Sequence, residues 1–543
     1  MDSNQIAALT IGLIILFIIL FIILIINLIF KKQYFTENST FYLKKWLYLA
    51  FIFTINIGMC ITVYYVQNIP VMLYIILFLK SKDLISSIIF LVNMLYKQCR
   101  ISYDIPNISN KNIIAFVPVY NETLDELTNT VNSILNNNIN NNYLLTCIIS
   151  DSNKDYTNIF DNILLYHSNL SYKSWNNKTV LINIYYGIKQ NKHIILIEKD
   201  KNYGKKDSII LVNNLFNNIN SLNFKKVFLD NLNVLFTVNH FDYLFTTDSD
   251  TSIDNNAIIY LMDTIINRDA NACCGIVNVN RFNNKWFWNN IQNFQYLYGQ
   301  YMRRTTEDLL KQVLCLPGCI TLYKINDNTN DAVKLFSELP DNNDFIISNV
   351  QYIGTDRRFT GSLLYTNSNT KICMDIRSHA YTTAPFNLNS YIVQRRRWMQ
   401  NTYFNTLINM TQKNINLLLR FFCLVDYLKL TLIYFRLFNT IYFIYLLSKY
   451  YKINEINKLI PYLVILLYPI VIFFLYAIIN NKLRSIWINL LISYILNKLL
   501  IVFSNLFIFT TMLFNIGNSS WKNINNDLTS IQITNNFNAI TET

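Results

Sequence analysis

Tyr243-Leu244-Phe245-Thr246-Thr247-Asp248-Ser249-Asp250 decides the fold, because an apolar run leads straight into two carboxylates. Tyr243–Thr247 has the content of a buried strand. Asp248 and Asp250 stand two residues apart, and side chains at i and i+2 point the same way in extended chain. Two such oxygens suit one hard cation, Mg2+ or Mn2+, bridging a diphosphate. A turn whose Asp side chains cap the following helix would use the same residues.

The flanking sequence continues the pattern. Upstream, Ile113–Val119 is a β-branched run read as a buried strand, and Glu122–Leu135 reads as a helix. Leu144–Ser150 is a second strand, ending at Asp151, and Ile194–Glu198 is a third. Asp207–Phe216 has helical spacing after Gly204, and Asp254–Ile266 is helical. Strands alternating with helices predict an α/β domain with a mostly parallel sheet. Ligands of such sheets lie beyond the carboxyl ends of the strands, where Asp151, Asp248 and Asp250 fall.

The chain around this domain is apolar. Of 543 residues, 52% are hydrophobic and 15% charged, which excludes an ordinary soluble protein. Ala7–Phe30 is long enough to cross a bilayer and reads as an anchor, not a cleaved signal. Trp46–Val66 is a second candidate span. Val71–Tyr96, interrupted by Lys80, Lys82 and Asp83, reads either as one long helix or as a short span with an interfacial helix. Leu417–Leu447 carries Arg420, Asp426, Lys429 and Arg436. Leu459–Ile479 is a clean span, and Ile486–Phe514 holds Lys498. Charges in such segments face a bundle interior or a wet cavity, or else mark helix ends. Lys31, Lys32, Lys44 and Lys45 place the loop after the first span in the cytosol. Three N-terminal crossings would then put the central domain there too. The net charge of +13 fits the lipid bilayer and an anionic substrate. Without a soluble basic tail, nucleic acid is not expected. The nine scattered cysteines read as buried thiols.

Three further stretches carry chemistry. Gly204-Lys205-Lys206-Asp207-Ser208 joins backbone donors and two cations at a helix start, which suits phosphate, although capping by Asp207 or Ser208 explains the start equally well. Gly354-Thr355-Asp356-Arg357 sets an acid beside Arg357 and Arg358, as a loop salt bridge also would. Gln394-Arg395-Arg396-Arg397-Trp398 puts three guanidiniums and an indole just before the second membrane block. Guanidinium forks suit phosphate oxygens, and an indole face suits a sugar ring. A basic cluster resting on anionic lipid is the alternative.

Taken in order, Val117-Pro118-Val119-Tyr120-Asn121-Glu122, Gly204–Ser208, Asp248–Asp250, Cys315-Leu316-Pro317-Gly318-Cys319, Gly354–Arg357 and Gln394–Trp398 resemble the processive family-2 glycosyltransferases, chitin synthases above all. The resemblance covers Asn112 to Thr402, with a weaker echo at Ser519-Ser520-Trp521. It implies an α/β GT-A-type domain inserted between N-terminal and C-terminal transmembrane helices of a multipass protein. The corresponding segments are helices over 1–98, a cytosolic transferase over 99–390, interfacial helices over 391–416, channel-forming helices over 417–514, and a tail over 515–543. The activity implied is transfer of N-acetylglucosamine from UDP-N-acetylglucosamine to a growing β-1,4 chitin chain, which is extruded across a membrane, by default the plasma membrane. A homodimer is compatible with this reading. By similarity, Asp151 contacts the uridine and Lys206 the nucleotide phosphates. Asp248 and Asp250 hold the donor diphosphate and Mg2+ or Mn2+, with Asp250 the main ligand. Asp356 is the general base, Gln394 and Arg397 hold the pyrophosphate, and Trp398 stacks under the acceptor sugar.

Two positions depart from the family pattern. Thr355 stands where Glu usually precedes the base, and Lys522 follows Ser520-Trp521 where Gly is usual. The sibling activities are hyaluronan synthase and chitin-oligosaccharide synthase, and a non-catalytic membrane binding protein is the reading from another class.

Overall fold

The apolar run Asn112–Val119 becomes the central strand β1, sealed on both faces by helices, which explains why it shows no alternation. The computed structural model describes residues 39–517 apart from 67–68, 98–103, 152–153, 218–221, 223, 239, 280–285, 341–343 and 453–454. The expected anchor Ala7–Phe30 and the Ser519–Lys522 motif lie outside the described residues.

Thr123 and Glu126 close a reciprocal capping box that starts the helix Leu124–Leu135. Its apolar stripe packs Leu127, Val131 and Ile134 against the sheet. The strands that follow are β2 (Tyr143–Ser150), β3 (Asn162–Lys173), β4 (Thr179–Lys189), β5 (Lys192–Lys199), β6 (Tyr243–Thr246), β7 (Thr251–Ile253), β8 (Ala272–Val279), β9 (Thr321–Lys324) and β10 (Ile372–Thr382). They form one sheet in the order β3-β4-β5-β2-β1-β6-β9-β8-β10-β7. Parallel pairing holds for β1 with β2 and β6, β2 with β5, and β8 with β10. The other five pairings are antiparallel, so the sheet is mixed and not mostly parallel. The difference comes from three places, one of them the short β7, which pairs antiparallel with β10 at the other edge. The antiparallel pair β3–β4 extends the edge, and its outer strand is largely exposed, so no continuous apolar run announces it. The four-residue β9 slots antiparallel between β6 and β8.

The helical part shares one core with the sheet and has two further clusters of its own. Thr40–Tyr65, Asn457–Ile479 and Trp487–Phe514 are long and apolar enough to cross a membrane. Ile69–Lys97 is one continuous helix, which settles the two readings of that segment. The apolar stretch 417–447 divides at Leu432 into helices Leu417–Thr431 and Ile433–Lys452. Phe41, Tyr403, Phe404, Phe509 and Met512 pack together, tying the helix Ser39–Val66 to Leu388–Thr411 and Trp487–Phe514. Charges near the middle of these helices pair with one another. Lys82 donates to Asp426 at 2.6 Å, and Asp83 accepts from Lys429 at 3.0 Å and from Arg303 at 2.9 Å. None of the described cysteines forms a disulfide.

Candidate active site

Strand ends and three helices meet at one cleft. Strand β6 delivers Asp248 and Asp250 at its carboxyl end, and the helix Lys205–Phe216 brings Lys205 across to them. Lys205 Nζ lies 2.6 Å from Asp248 Oδ1 and 3.5 Å from Asp356 Oδ1. Gly318 N–H donates to Asp356 Oδ2 at 3.0 Å. A Cβ on Gly318 would stand 2.5 Å from Lys205 Nζ and 2.9 Å from Asp356 Oδ1, so this turn needs glycine for close approach. Asp356 opens the helix Asp356–Thr366 and finds these partners, while Arg358 donates to Gln351 Oε1 at 2.7 Å.

Asp250 lies against Thr251 and Thr382, at 3.2 and 3.4 Å. Burial and the neighbouring Asp248 push its carboxyl up to about 7. Among the described ion pairs no cation is shared by Asp248 and Asp250, and Lys205 serves Asp248 and Asp356. A hard divalent ion therefore fits Asp248 and Asp250. Glu122 closes the same corner; burial raises its carboxyl, and Asp248 adds to the effect.

Asp151 ends β2 and is buried in a polar network. It accepts from Lys199 Nζ at 3.0 Å, the Ser208 hydroxyl at 2.8 Å and Tyr203 N–H at 3.2 Å. Lys199 also pairs with Asp207 at 2.9 Å, and Asp207 accepts from the Tyr172 hydroxyl. Asp207 and Ser208 thus serve this network, while Gly204, at φ +87°, occupies the cap without a side-chain bond. Lys206 turns into the domain. Its Nζ donates to Gln351 O at 2.7 Å and sits 3.8 Å over the Trp175 ring. Burial, with Arg358 adding, pushes its ammonium down to about 6.

The helix Leu388–Thr411 carries Gln394, Arg397 and Trp398 to the cleft wall. Burial, then Arg396, lowers the guanidinium of Arg397. Arg395 stacks 4.5 Å from the Trp398 ring centre and donates to Gln292 Oε1 at 3.2 Å. Trp398 remains 40% exposed, and Tyr296 meets its ring edge-on at 5.8 Å. One cavity of about 1650 Å³ is lined by all of Asp151, Lys205, Lys206, Asp248, Asp250, Asp356, Gln394, Arg397 and Trp398. It continues past Asp426 and Lys429 to Arg436, Pro469, Lys498 and Val502, in the middle of the long apolar helices.

The sequence reading named Lys205 as one of two cations suited to phosphate but gave the donor role to Lys206, and it did not single out Lys199 or Trp175. Lys205 and Lys206 are adjacent, and only the helix register shows which one faces the carboxylates. Lys199 carried a faint signal as a cation closing an apolar strand.

A mixed sheet with acidic groups at its strand ends and a cation-rich helix facing them is the GT-A arrangement of glycosyltransferases. The chain belongs to the chitin synthase family, whose profile matches residues 165–527. Chitin synthase 8 of Verticillium dahliae is 25% identical over 346 residues, covering 54% of this chain and 56% of that protein. Chitin synthase chs-2 of Caenorhabditis elegans is 32% identical over 171 residues, covering 30% of this chain and 10% of that protein. Among solved structures, the Pyrobaculum calidifontis mannosyltransferase PcManGT, in complex with GDP-Man and Mn2+, aligns with a TM-score of 0.37 at 9% identity. That alignment covers 77% of this chain and 99% of that one.

Proposed function

We propose that this protein transfers N-acetylglucosamine from UDP-N-acetylglucosamine onto the non-reducing end of a β-1,4 chitin chain and passes the polymer across a membrane. The observation that carries the reading is the cavity shared by the acidic cleft and the long apolar helices. A site that makes a short product has no use for a wet path along membrane-length helices.

Asp356 is the general base. Gly318 N–H holds one of its oxygens, and the other faces the cavity within reach of Lys205. It takes the proton from the acceptor 4-hydroxyl as that oxygen attacks the sugar C1. The bond from C1 to the phosphate oxygen breaks on the opposite face, UDP leaves with the electron pair, and the configuration inverts. Gln394, Arg397 and Lys205 offset the charge that develops on the diphosphate. Asp248 and Asp250 would hold Mg2+ or Mn2+, which supplies Lewis-acid stabilisation of the same charge. Asp151 orients the uridine. Lys206 meets a nucleotide phosphate after leaving the Gln351 carbonyl, and the phosphate charge would favour its ammonium form. Trp398 supports the acceptor ring. The transferase domain faces the cytosol, and the plasma membrane is the natural site for an extruded polymer.

The test is product analysis with purified protein, Mn2+ or Mg2+, and radiolabelled UDP-N-acetylglucosamine alone. An insoluble polymer destroyed by chitinase is expected. Synthesis that starts only after UDP-glucuronate is added, or soluble short oligosaccharides alone, would replace the reading by a sibling activity. No incorporation at all would favour a binding protein.

A further inference from the structure

Past the catalytic cleft the cavity carries charge that the proposed chemistry does not use. Asp83 is the central carboxylate there. It meets Arg303 at 2.8 Å and Lys429 at 3.0 Å, and Lys80 at the longer distance of 3.9 Å. Arg436 and Lys498 also stand close enough to feel its charge. The other two acids lining this part of the cavity, Asp426 and Glu307, both face Lys82, at 2.6 and 4.0 Å. Five cations therefore gather around one carboxylate, and Lys80 lies within reach of the like charges of Lys429, Arg436 and Lys498.

Among the described residues, neither Arg436 nor Lys498 has a carboxylate within ion-pair distance. Arg436 Nη1 donates to Lys429 O at 3.1 Å, and Lys498 Nζ lies 5.5 Å from the centre of the Tyr494 ring. Like charges held together among membrane-length helices are costly unless an anion joins them. A chain of N-acetylglucosamine is uncharged and brings none. The walls beside these cations are apolar. Ile76 and Val502 stand one turn from Lys80 and Lys498, on the same faces of their helices. Leu466 and Ile470 approach from the helix Ile460–Ile479, and all four line the cavity. Cations beside a hydrocarbon wall suit a phosphate carried on an acyl chain.

We propose that Lys80, Arg436 and Lys498 form a phosphate site in the membrane portion of the cavity, and that the phosphate is the headgroup of an anionic phospholipid whose acyl chain lies along the apolar wall. The phosphate supplies the missing negative charge. Arg436 offers it a fork of donors, and the two ammoniums act as point charges. The site stands independently of the transferase reading, because donor, base and metal take no part in it. Lipid and polymer cannot share this position, so the lipid occupies the path before a chain has entered it.

The test is native mass spectrometry of the full chain in neutral detergent, titrated with dioleoyl phosphatidylglycerol or dioleoyl phosphatidylcholine. Wild type should hold phosphatidylglycerol roughly tenfold more tightly than phosphatidylcholine, and Arg436→Gln with Lys498→Gln should abolish that preference. Arg436→Lys with Lys498→Arg should keep it. So should Lys458→Gln, which removes an exposed cation outside the cavity. Equal binding of the two lipids by wild type would overturn the proposal, whatever the variants do. So would a preference that survives the double Gln variant, or one lost in Lys458→Gln, which would place the lipid on the outer surface. Displacement of phosphatidylglycerol by an equal concentration of inorganic phosphate or pyrophosphate would mark a site for free anions and overturn the lipid assignment.

Discussion

Lys205 is the residue on which the site turns, since it is the only side chain that pairs with both Asp248 and Asp356 among the described ion pairs. Gly318 packs against both Lys205 and Asp356, so Gly318→Ala should displace them by a fraction of an ångström and lower kcat roughly tenfold or more. The variant's thermal melt should stay close to wild type, because the nearest atoms are side-chain tips. Asp356→Asn removes the proposed base and should cut polymer formation about a hundredfold or more while UDP-N-acetylglucosamine still binds. Intact turnover in that variant would move the base elsewhere. The Asp250 carboxyl is pushed up to about 7, against an ordinary value near ~4. The folded state therefore holds this proton more tightly than the unfolded chain does. Without metal, stability should fall as pH rises between about 4 and about 7. Metal-free Asp250→Asn should accordingly melt higher than wild type at about pH 8, with the gap closing toward about pH 4. Mn2+ affinity of wild type should fall toward tenfold per pH unit below about 7, because the proton and the metal compete for the same oxygens. Titration calorimetry across that range reads this directly.

At the scale of elements, β5 and the helix Lys205–Phe216 are joined by a buried charge network. Lys199, with its side chain fully buried, neutralises Asp151 and Asp207 together. Lys199→Met would leave two buried carboxylates without their cation and should cost roughly 3–5 kcal/mol in chemical denaturation. A cost near zero would show that the network is dispensable. Sequence reading succeeded where one element's own residues decide its form. The strands through Val119, Ser150 and Thr246 are continuous apolar runs, and the helix Leu124–Leu135 carries its own cap. It did not single out β3, β4, β7, β8 or β10, of which β3 is largely exposed and β4 alternates, and so it overstated the parallel character of the sheet. In the site, acids at strand ends were legible because a strand's direction fixes where its last residue points. The choice between Lys205 and Lys206 was not, because it depends on how a helix is rotated against a sheet that is built from distant sequence. Asp356 shows the same limit: its neighbours in sequence suggested arginine partners, and the fold gave it Lys205 and Gly318.

Across the whole molecule, catalytic cleft and membrane-length helices share one cavity, and its membrane portion is held by ion pairs. Asp83 gathers Arg303 and Lys429, while Lys82 holds Asp426. These pairs link the helices Ile69–Lys97 and Leu417–Thr431 to the segment beside the acceptor site. Asp83→Asn would leave Arg303 and Lys429 without their shared carboxylate, and the purified protein should melt several degrees lower. The central claim is that synthesis and passage use this one path. Proteoliposomes with the transferase domain outward, given UDP-N-acetylglucosamine and Mn2+ outside, test it most directly. The expected result is polymer that resists added chitinase until detergent opens the vesicles. Polymer digested at once by external chitinase would contradict a path through the helices.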